Sequence, residues 1–262
     1  MKILAINGSY RGRQGHTSFL LSKLSKGAVF AGAEFDVVNL AELKINRCLS
    51  CGKCNSPEHH LQCVFDDKDD VRSVFEKMAW ADILVFATPV YLFGLSSLMK
   101  TFLDRTYATA DVFDIRLTQS GLFFHHIDPS ISSKPFVVLV CCDNVEKEMT
   151  GNVTSYFRTY ARFQDASQVG VLVRNAGRFA GHGKNPEAFR RAPNLARVYE
   201  AFETAGKELA LLGHIKSSTE KSAAQNIIPT PAVFKILKHF RPFKKIMVQK
   251  ARQMMKYEEG AV

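Results

Sequence analysis

The chain has no uninterrupted apolar run approaching the roughly 18 residues of a membrane span, and its opening "MKILAING" turns polar too soon to serve as a signal peptide. It has no internal repeat and no low-complexity segment. It contains neither the Gly-Lys-Ser/Thr ending of a Walker loop nor a Gly-x-Gly-x-x-Gly dinucleotide fingerprint. Cysteine is scarce, with six among 262 residues. Together these absences predict a soluble cytoplasmic protein with reduced thiols. In that setting, grouped cysteines more often bind metal or do redox chemistry than form disulfides.

What is present suits one large globular domain, or one domain plus an appendage: 46% of the residues are hydrophobic and 23% are charged. A chain of this length buries a core without covalent staples. The formal net charge of +10 is uneven. Residues 222–262 hold eight lysines and arginines against Glu258 and Glu259. The basicity therefore belongs largely to the tail and does not point to nucleic acid binding by the whole protein.

Short apolar runs alternate with helical patterns. Strands are predicted at 2–6, 35–40, 82–89, 135–142 and 168–173, and helices at 16–31, 69–81, 95–107, 152–164 and about 187–212. This alternation predicts a doubly wound parallel sheet with helices on both faces. The expected division is a body over 1–215, with a cysteine loop at 46–66, and an extension over 216–262. Residues 217–226 read as a linker. The tail from Pro229 reads as basic and amphipathic, split by Pro242 into two short helices. It is expected to pack on a partner subunit or an acidic surface, or equally on its own domain with a solvated basic face; an anionic membrane is a further alternative.

Ligands of such sheets bind beyond the carboxyl ends of the strands. After the first strand, "NGSYRGRQGHTSFLL" offers Gly8, Gly12 and Gly15 for tight turning, the hydroxyls of Ser9, Thr17 and Ser18, the charge of Arg11, and a helix N-terminus. That combination suits a phosphate. After the third strand, Pro89 and Gly94 bracket Val90, Tyr91, Leu92 and Phe93, apolar and aromatic side chains suited to a flat ring. After the fourth, Cys142 and Asp143 stand where they would edge the same ring. Cys141 and Cys142 otherwise read as small hydrophobes at a strand end. His125 and His126 read as a loop feature, Met78 and Trp80 as core, and Asp66 and Asp67 as helix caps.

Four cysteines crowd into "CLSCGKCNSPEHHLQC" as Cys48, Cys51, Cys54 and Cys63. Three thiolates at x2 intervals on one tight loop reach three corners of a cubane, with Gly52 easing the wrap, and a fourth follows from further along. Two-cluster ferredoxins use a shorter last gap followed by proline. Here Val64 follows Cys63 and there is no second set, so one 4Fe-4S cluster is the economical reading. A zinc site that recruits His59 or His60 is an alternative, and redox disulfides are another.

Taken together, "GSYRGRQGHT", "TPVYLFGLSSLMKTFLDR" and "CLSCGKCNSPEHHLQCVFDD" resemble the NADPH-dependent FMN reductase family, and within it the iron–sulfur flavoproteins, over roughly residues 1–175. Tyr10 stands where that family usually has proline, and His16 where asparagine is common. The resemblance implies a flavodoxin-like five-stranded sheet and bound FMN. It places Ser9, Arg11, Thr17 and Ser18 on the phosphate and Pro89 to Gly94 along the ribityl chain and isoalloxazine. It further implies a 4Fe-4S cluster, ferredoxin or NAD(P)H as donor, small oxidants such as quinones as acceptors, and a homo-oligomer (dimer or tetramer). No side chain is expected to be catalytic, because the flavin carries the chemistry. The rival readings are an NAD(P)H:FMN or quinone reductase with structural zinc, and a non-enzymatic electron carrier.

Overall fold

The computed structural model describes residues 1–177, 192, 194–227, 237, 240–246 and 248–249. The chain divides into two compact units, Met1–Ile227 and Ile228–Val262. In order, the first contains β1 (Lys2–Asn7), α1 (His16–Phe30), β2 (Glu34–Asn39), α2 (Val71–Trp80), β3 (Ile83–Tyr91), β4 (Gly94–Leu95), α3 (Ser97–Arg105), β5 (Ala110–Leu117), β6 (Phe123–Ile127), β7 (Phe136–Cys141), α4 (Gly151–Phe163), β8 (Gln168–Arg174), α5 (Leu195–Leu212) and α6 (Ser217–Ala223).

The apolar runs form one parallel sheet in the order β2-β1-β3-β7-β8, with β4 folded back antiparallel on the end of β3. Successive side chains of a strand face opposite sides, so each inner strand supplies two cores. Ile3 and Ala5 pack beneath α1 and α5 with Leu20, Leu24, Val198 and Phe202. Leu4 and Ile6 pack on the other face with Met78, Phe102 and Phe157 from α2, α3 and α4. Met78 is core as expected, whereas Trp80 is only half-buried, with the Lys2 ammonium 5.5 Å from its ring centroid.

Three expectations are corrected. Residues 217–223 form α6 and are not a linker: Ala223 and Thr219 are buried. The Glu220 carboxylate accepts the Val171 N–H at 2.7 Å on β8, the edge of the sheet. A polar, small-residue composition here serves to cover a strand edge. His125 and His126 lie on β6, within a two-stranded antiparallel hairpin that stands outside the main sheet, where His126 faces Asp111. Asp66 does not cap α2; its carboxylate accepts the Cys63 N–H at 2.9 Å. Asp69 instead accepts the Val71 N–H at the helix start, at 3.2 Å. In the second unit, 241–246 and 248–249 are helical, with Pro242 in a first turn that needs no N–H from it. Most of the expected tail helices lie outside the described residues. No helix among the described residues is long and apolar enough to cross a membrane.

Helices α1 and α5 meet backbone to backbone. A Cβ at Gly206 would lie 2.0 Å from the Leu24 carbonyl oxygen, and one at Gly27 would lie 1.8 Å from that of Glu203. Above this contact, Glu203 pairs with Lys23 and Lys26 at 3.3 and 3.0 Å. Gly206→Ala is expected to destabilise the protein by about 1–3 kcal/mol, because helix propensity recovers less than the overpacking costs. Gly151→Ala, into open space at the start of α4, should be neutral or stabilising. Urea denaturation of the two variants checks the contrast.

Candidate functional site

The loops after β1 and β3 are knotted together. Asn7, at the carboxyl end of β1, donates to Asn39 Oδ1 at 2.9 Å and to the Gly12 carbonyl at 3.3 Å, and its Oδ1 accepts the Ser9 N–H. The Gly8 N–H donates to the Ala87 carbonyl at 2.8 Å. Ser96 caps α3 and donates its own hydroxyl proton to the Gly8 carbonyl at 2.6 Å. Gly12 takes a positive φ, and a Cβ on Gly15 would press to 2.8 Å from Ser9 Oγ. The side-chain-free Gly15 is the N-cap of α1, so no side chain there answers the amides of its first turn. Ser9 and Thr17 are buried at the loop's base, Ser18 is half-buried, and Arg11 is exposed.

The turn after β3 is unusual. Val90 pairs with Leu95 and Tyr91 with Gly94, leaving Leu92 and Phe93 as a two-residue hairpin loop. Both take positive φ, 43° and 67°, as a type I′ turn requires. Such turns ordinarily use Asn-Gly. Here two apolar side chains are held in strained backbone and pushed into solvent, Leu92 at 89% exposure and Phe93 at 55%. Tyr91 stacks on Tyr10 of the β1 loop with ring centroids 6.4 Å apart. The result is an exposed apolar shelf beside the glycine loop. Pro89 and Val90 are half-buried at its base. Cys142 is buried, its backbone bonded to Arg174 and Gly177, while Asp143 is exposed beyond it.

The cysteines occupy an excursion that leaves the carboxyl end of β2. Its neck is closed by two bonds between the same residues: the Asp70 N–H donates to the Lys44 carbonyl at 2.9 Å, and the Lys44 N–H donates to the Asp70 side-chain carboxylate at 2.7 Å. The buried Asp69 accepts the Asn46 N–H at 2.9 Å and pairs with Arg105 of α3, which also donates to the Asn46 carbonyl at 3.0 Å. Ser50 and Gly52 turn the loop through positive φ. Cys48, Cys51, Cys54 and Cys63 all line one cavity, walled by Phe65, Arg105 and Tyr107. Burial raises the Cys54 thiol's pKa, and the neighbouring Cys63, Cys48 and Cys51 raise it further. Neither His59 nor His60 lines this cavity; His60 faces Asp111 at 3.3 Å. Among the described residues, no three His, Cys, Asp or Glu side chains are grouped to hold a metal ion. The soft four-thiol donor set around one hollow nonetheless fits a thiolate-ligated centre.

Sequence reasoning missed Asp69 and Arg105. A carboxylate before a helix and a cation in its last turn are ordinary features, and only the fold places them together.

The order β2-β1-β3-β7-β8 defines a flavodoxin-like protein. That fold is shared with an FMN-dependent NADH-azoreductase from Bacillus anthracis, at TM-score 0.55 and 13% identity over 80% of this chain and 99% of that one. The sequence pattern of the NADPH-dependent FMN reductases matches residues 1–142, and the chain belongs to that family. It is 35% identical over 106 residues to an iron-sulfur flavoprotein of Archaeoglobus fulgidus, covering 40% of this chain and 49% of the relative. It is 30% identical over 121 residues to one of Methanocaldococcus jannaschii, covering 46% and 60%. The chain spans about half the length of the curated relatives it matches.

Relieving the turn tests whether its strain is real. The double change Leu92→Asn and Phe93→Gly is expected to raise stability by about 1–2 kcal/mol, since each strained residue costs of order 1–3 kcal/mol. Thermal and urea denaturation of the flavin-free protein measure the gain.

Proposed function

We propose that this chain is a flavin-dependent oxidoreductase that binds FMN and exchanges electrons with a single 4Fe-4S cluster held by Cys48, Cys51, Cys54 and Cys63. One observation carries the reading: four thiols line one cavity, on a loop that leaves the same sheet end as the glycine loop and the apolar shelf. The names of the archaeal relatives support it. When bound, the flavin supplies one- and two-electron chemistry and the cluster one-electron chemistry.

The chain's own residues bind and orient. Ser9, Thr17, Ser18 and the first-turn amides of α1 receive the phosphate, with Arg11 folding over it and Gly15 leaving room. Pro89, Val90, Tyr91, Leu92, Phe93 and Gly94 line the ribityl chain and one edge of the isoalloxazine, and Cys142 and Asp143 close the other edge. The flavodoxin-like body carries both sites, and the basic tail is a surface for a second copy of the chain. NAD(P)H or a reduced ferredoxin is the donor, and a small oxidant such as a quinone is the acceptor. No side chain acts as a general acid.

An absorption spectrum, with iron and sulfide assays of anaerobically purified protein, tests the reading. Flavin bands alone, without iron and sulfide, would reduce it to a plain flavin reductase. Extracted flavin is expected to be FMN, because no adenine-side fingerprint accompanies the single phosphate loop; recovery of mainly FAD would sink that assignment. Arg11→Ala should weaken FMN binding by about 1.5–3 kcal/mol, the worth of a hydrogen bond to a charged group, as read by fluorescence titration. Cys51→Ala should keep FMN and the fold while losing iron and sulfide. Full retention of iron would show that the cysteines are wrongly assigned.

A further inference from the structure

Arg105 is the cation among the residues lining the cysteine cavity. Its side chain is 1% exposed. One terminal nitrogen, Nη1, is spent on Asp69 and the Asn46 carbonyl. The other two, Nε and Nη2, are buried and have no hydrogen-bond partner. Asp66 Oδ1 stands 3.9 Å from Nη2, beyond bonding range. Two unanswered donor nitrogens on a buried guanidinium are costly, the more so because the group is charged. Folded proteins seldom leave such donors without a partner.

The surroundings indicate which way those donors serve. Asp69 and Asp66 do not line the cavity; Asp66 is instead engaged by the Cys63 N–H at 2.9 Å. Asp104 lines it but is half-exposed and paired with Lys100. The Arg105 Cζ lies over the Phe65 ring, 5.3 Å from its centroid. A buried cation with two unpartnered nitrogens therefore belongs to the wall of a hollow that four cysteines also line. Thiolates gathered there would repel one another, and a neighbouring fixed cation offsets that repulsion.

Resting on the cluster reading above, we infer that Arg105 is the charge-compensating and positioning residue of the cysteine site, donating Nε–H and Nη2–H to sulfur of the bound cluster while Asp69 holds it in place. Net charge and hydrogen bonds to sulfur set cluster potentials. A fixed cation favours the more negative, reduced form, so Arg105 raises the potential.

The test uses the full-length, cofactor-loaded protein. Arg105→Lys keeps the charge but loses the planar fork. The double variant Arg105→Gln with Asp69→Asn removes the cation together with its buried counter-ion, so that no lone charge is left in the core. Iron, sulfide and FMN contents, circular dichroism, and the midpoint potentials of cluster and flavin are measured for each. Both variants should retain FMN and the fold. The cluster potential should fall in both, by at least the equivalent of a tenfold change in the reduced-to-oxidised ratio in the double variant, about 59 mV for one electron. The flavin potential should stay fixed, because Arg105 touches none of the flavin loops; general loosening of the fold would move both. If the double variant fails to hold iron, Arg105→Lys alone carries the reading, with iron kept and the cluster potential lowered. An unchanged cluster potential in Arg105→Lys, with full iron and sulfide, overturns the inference and leaves the cluster reading intact. Wild-type protein without iron and sulfide overturns the cluster reading and this inference with it.

Discussion

The five strands β2, β1, β3, β7 and β8 of the main sheet run the same way, and the placement of the chemistry depends on that constraint. Parallel neighbours cannot be joined by a tight turn, so each return crosses over through a longer connection, and all carboxyl ends open at one edge. Because β1 lies between β2 and β3, the chain leaves β1 toward one side and returns on the other, and a crevice opens where the order reverses. The glycine loop, the strained β3 turn and the cysteine excursion are therefore neighbours by topology, although some eighty residues separate the first turn from the second. Short polar side chains then fix their spacing. Asn7 ties β1 to β2 through Asn39, and Ser96 ties the start of α3 to Gly8.

The cysteine excursion cannot draw on the sheet in the same way. Its four thiols and their flanks are exposed or half-buried, and the 3-10 turns it contains bury no residue. Its order comes from its neck and from one buried ion pair. Removing one partner of such a pair costs about 3–5 kcal/mol, because the other is left charged in the core. Asp69 shows the balance. Burial opposes its ionisation, yet Arg105 and the two backbone N–H groups hold its pKa below the usual carboxylate value. Its stabilising contribution is thus present above the unfolded carboxylate pKa near 4 and is lost as pH falls through the lower folded value. The clamp on the loop is therefore in place at neutral pH and weakens as Asp69 is protonated.

Much of the body was legible because its signals are local. "PFVVLVCC" and "DILVFATP" are apolar on both faces, as buried parallel strands must be, and all five strands lie within a residue or two of their expected positions. The glycine loop and the Pro89–Gly94 segment announce themselves by composition, and the structure brings them together. The β5–β6 hairpin was not legible. Phe113, Ile115, Leu117 and Phe123 are exposed on it, so its alternation does not mark a buried face. Helix α6 was hidden for the opposite reason: its polar residues work by capping an edge strand, a role defined only once the edge exists. Arg105 has no local signature at all, since its meaning lies in atoms 36 and 59 residues away in sequence.

The six cysteines show why environment outweighs residue type. Cys141 is fully buried, and burial pushes its thiol up to about 12. It stays protonated and packs as a small hydrophobe in the α1 and α5 core. Cys142 is raised for the same reason. Cys54 is raised too, but partly by three other sulfurs, which is a different situation. Sulfurs grouped this closely become thiolates together only when positive charge is shared among them. Cluster iron would bring most of that charge from within the hollow, and a guanidinium already fixed in the wall lowers the cost of gathering the rest. The same grouping suits a positively charged, sulfur-seeking centre, whereas the pair at the end of β7 is buried and, although Arg174 stands beside Cys141, lacks the company of further thiols.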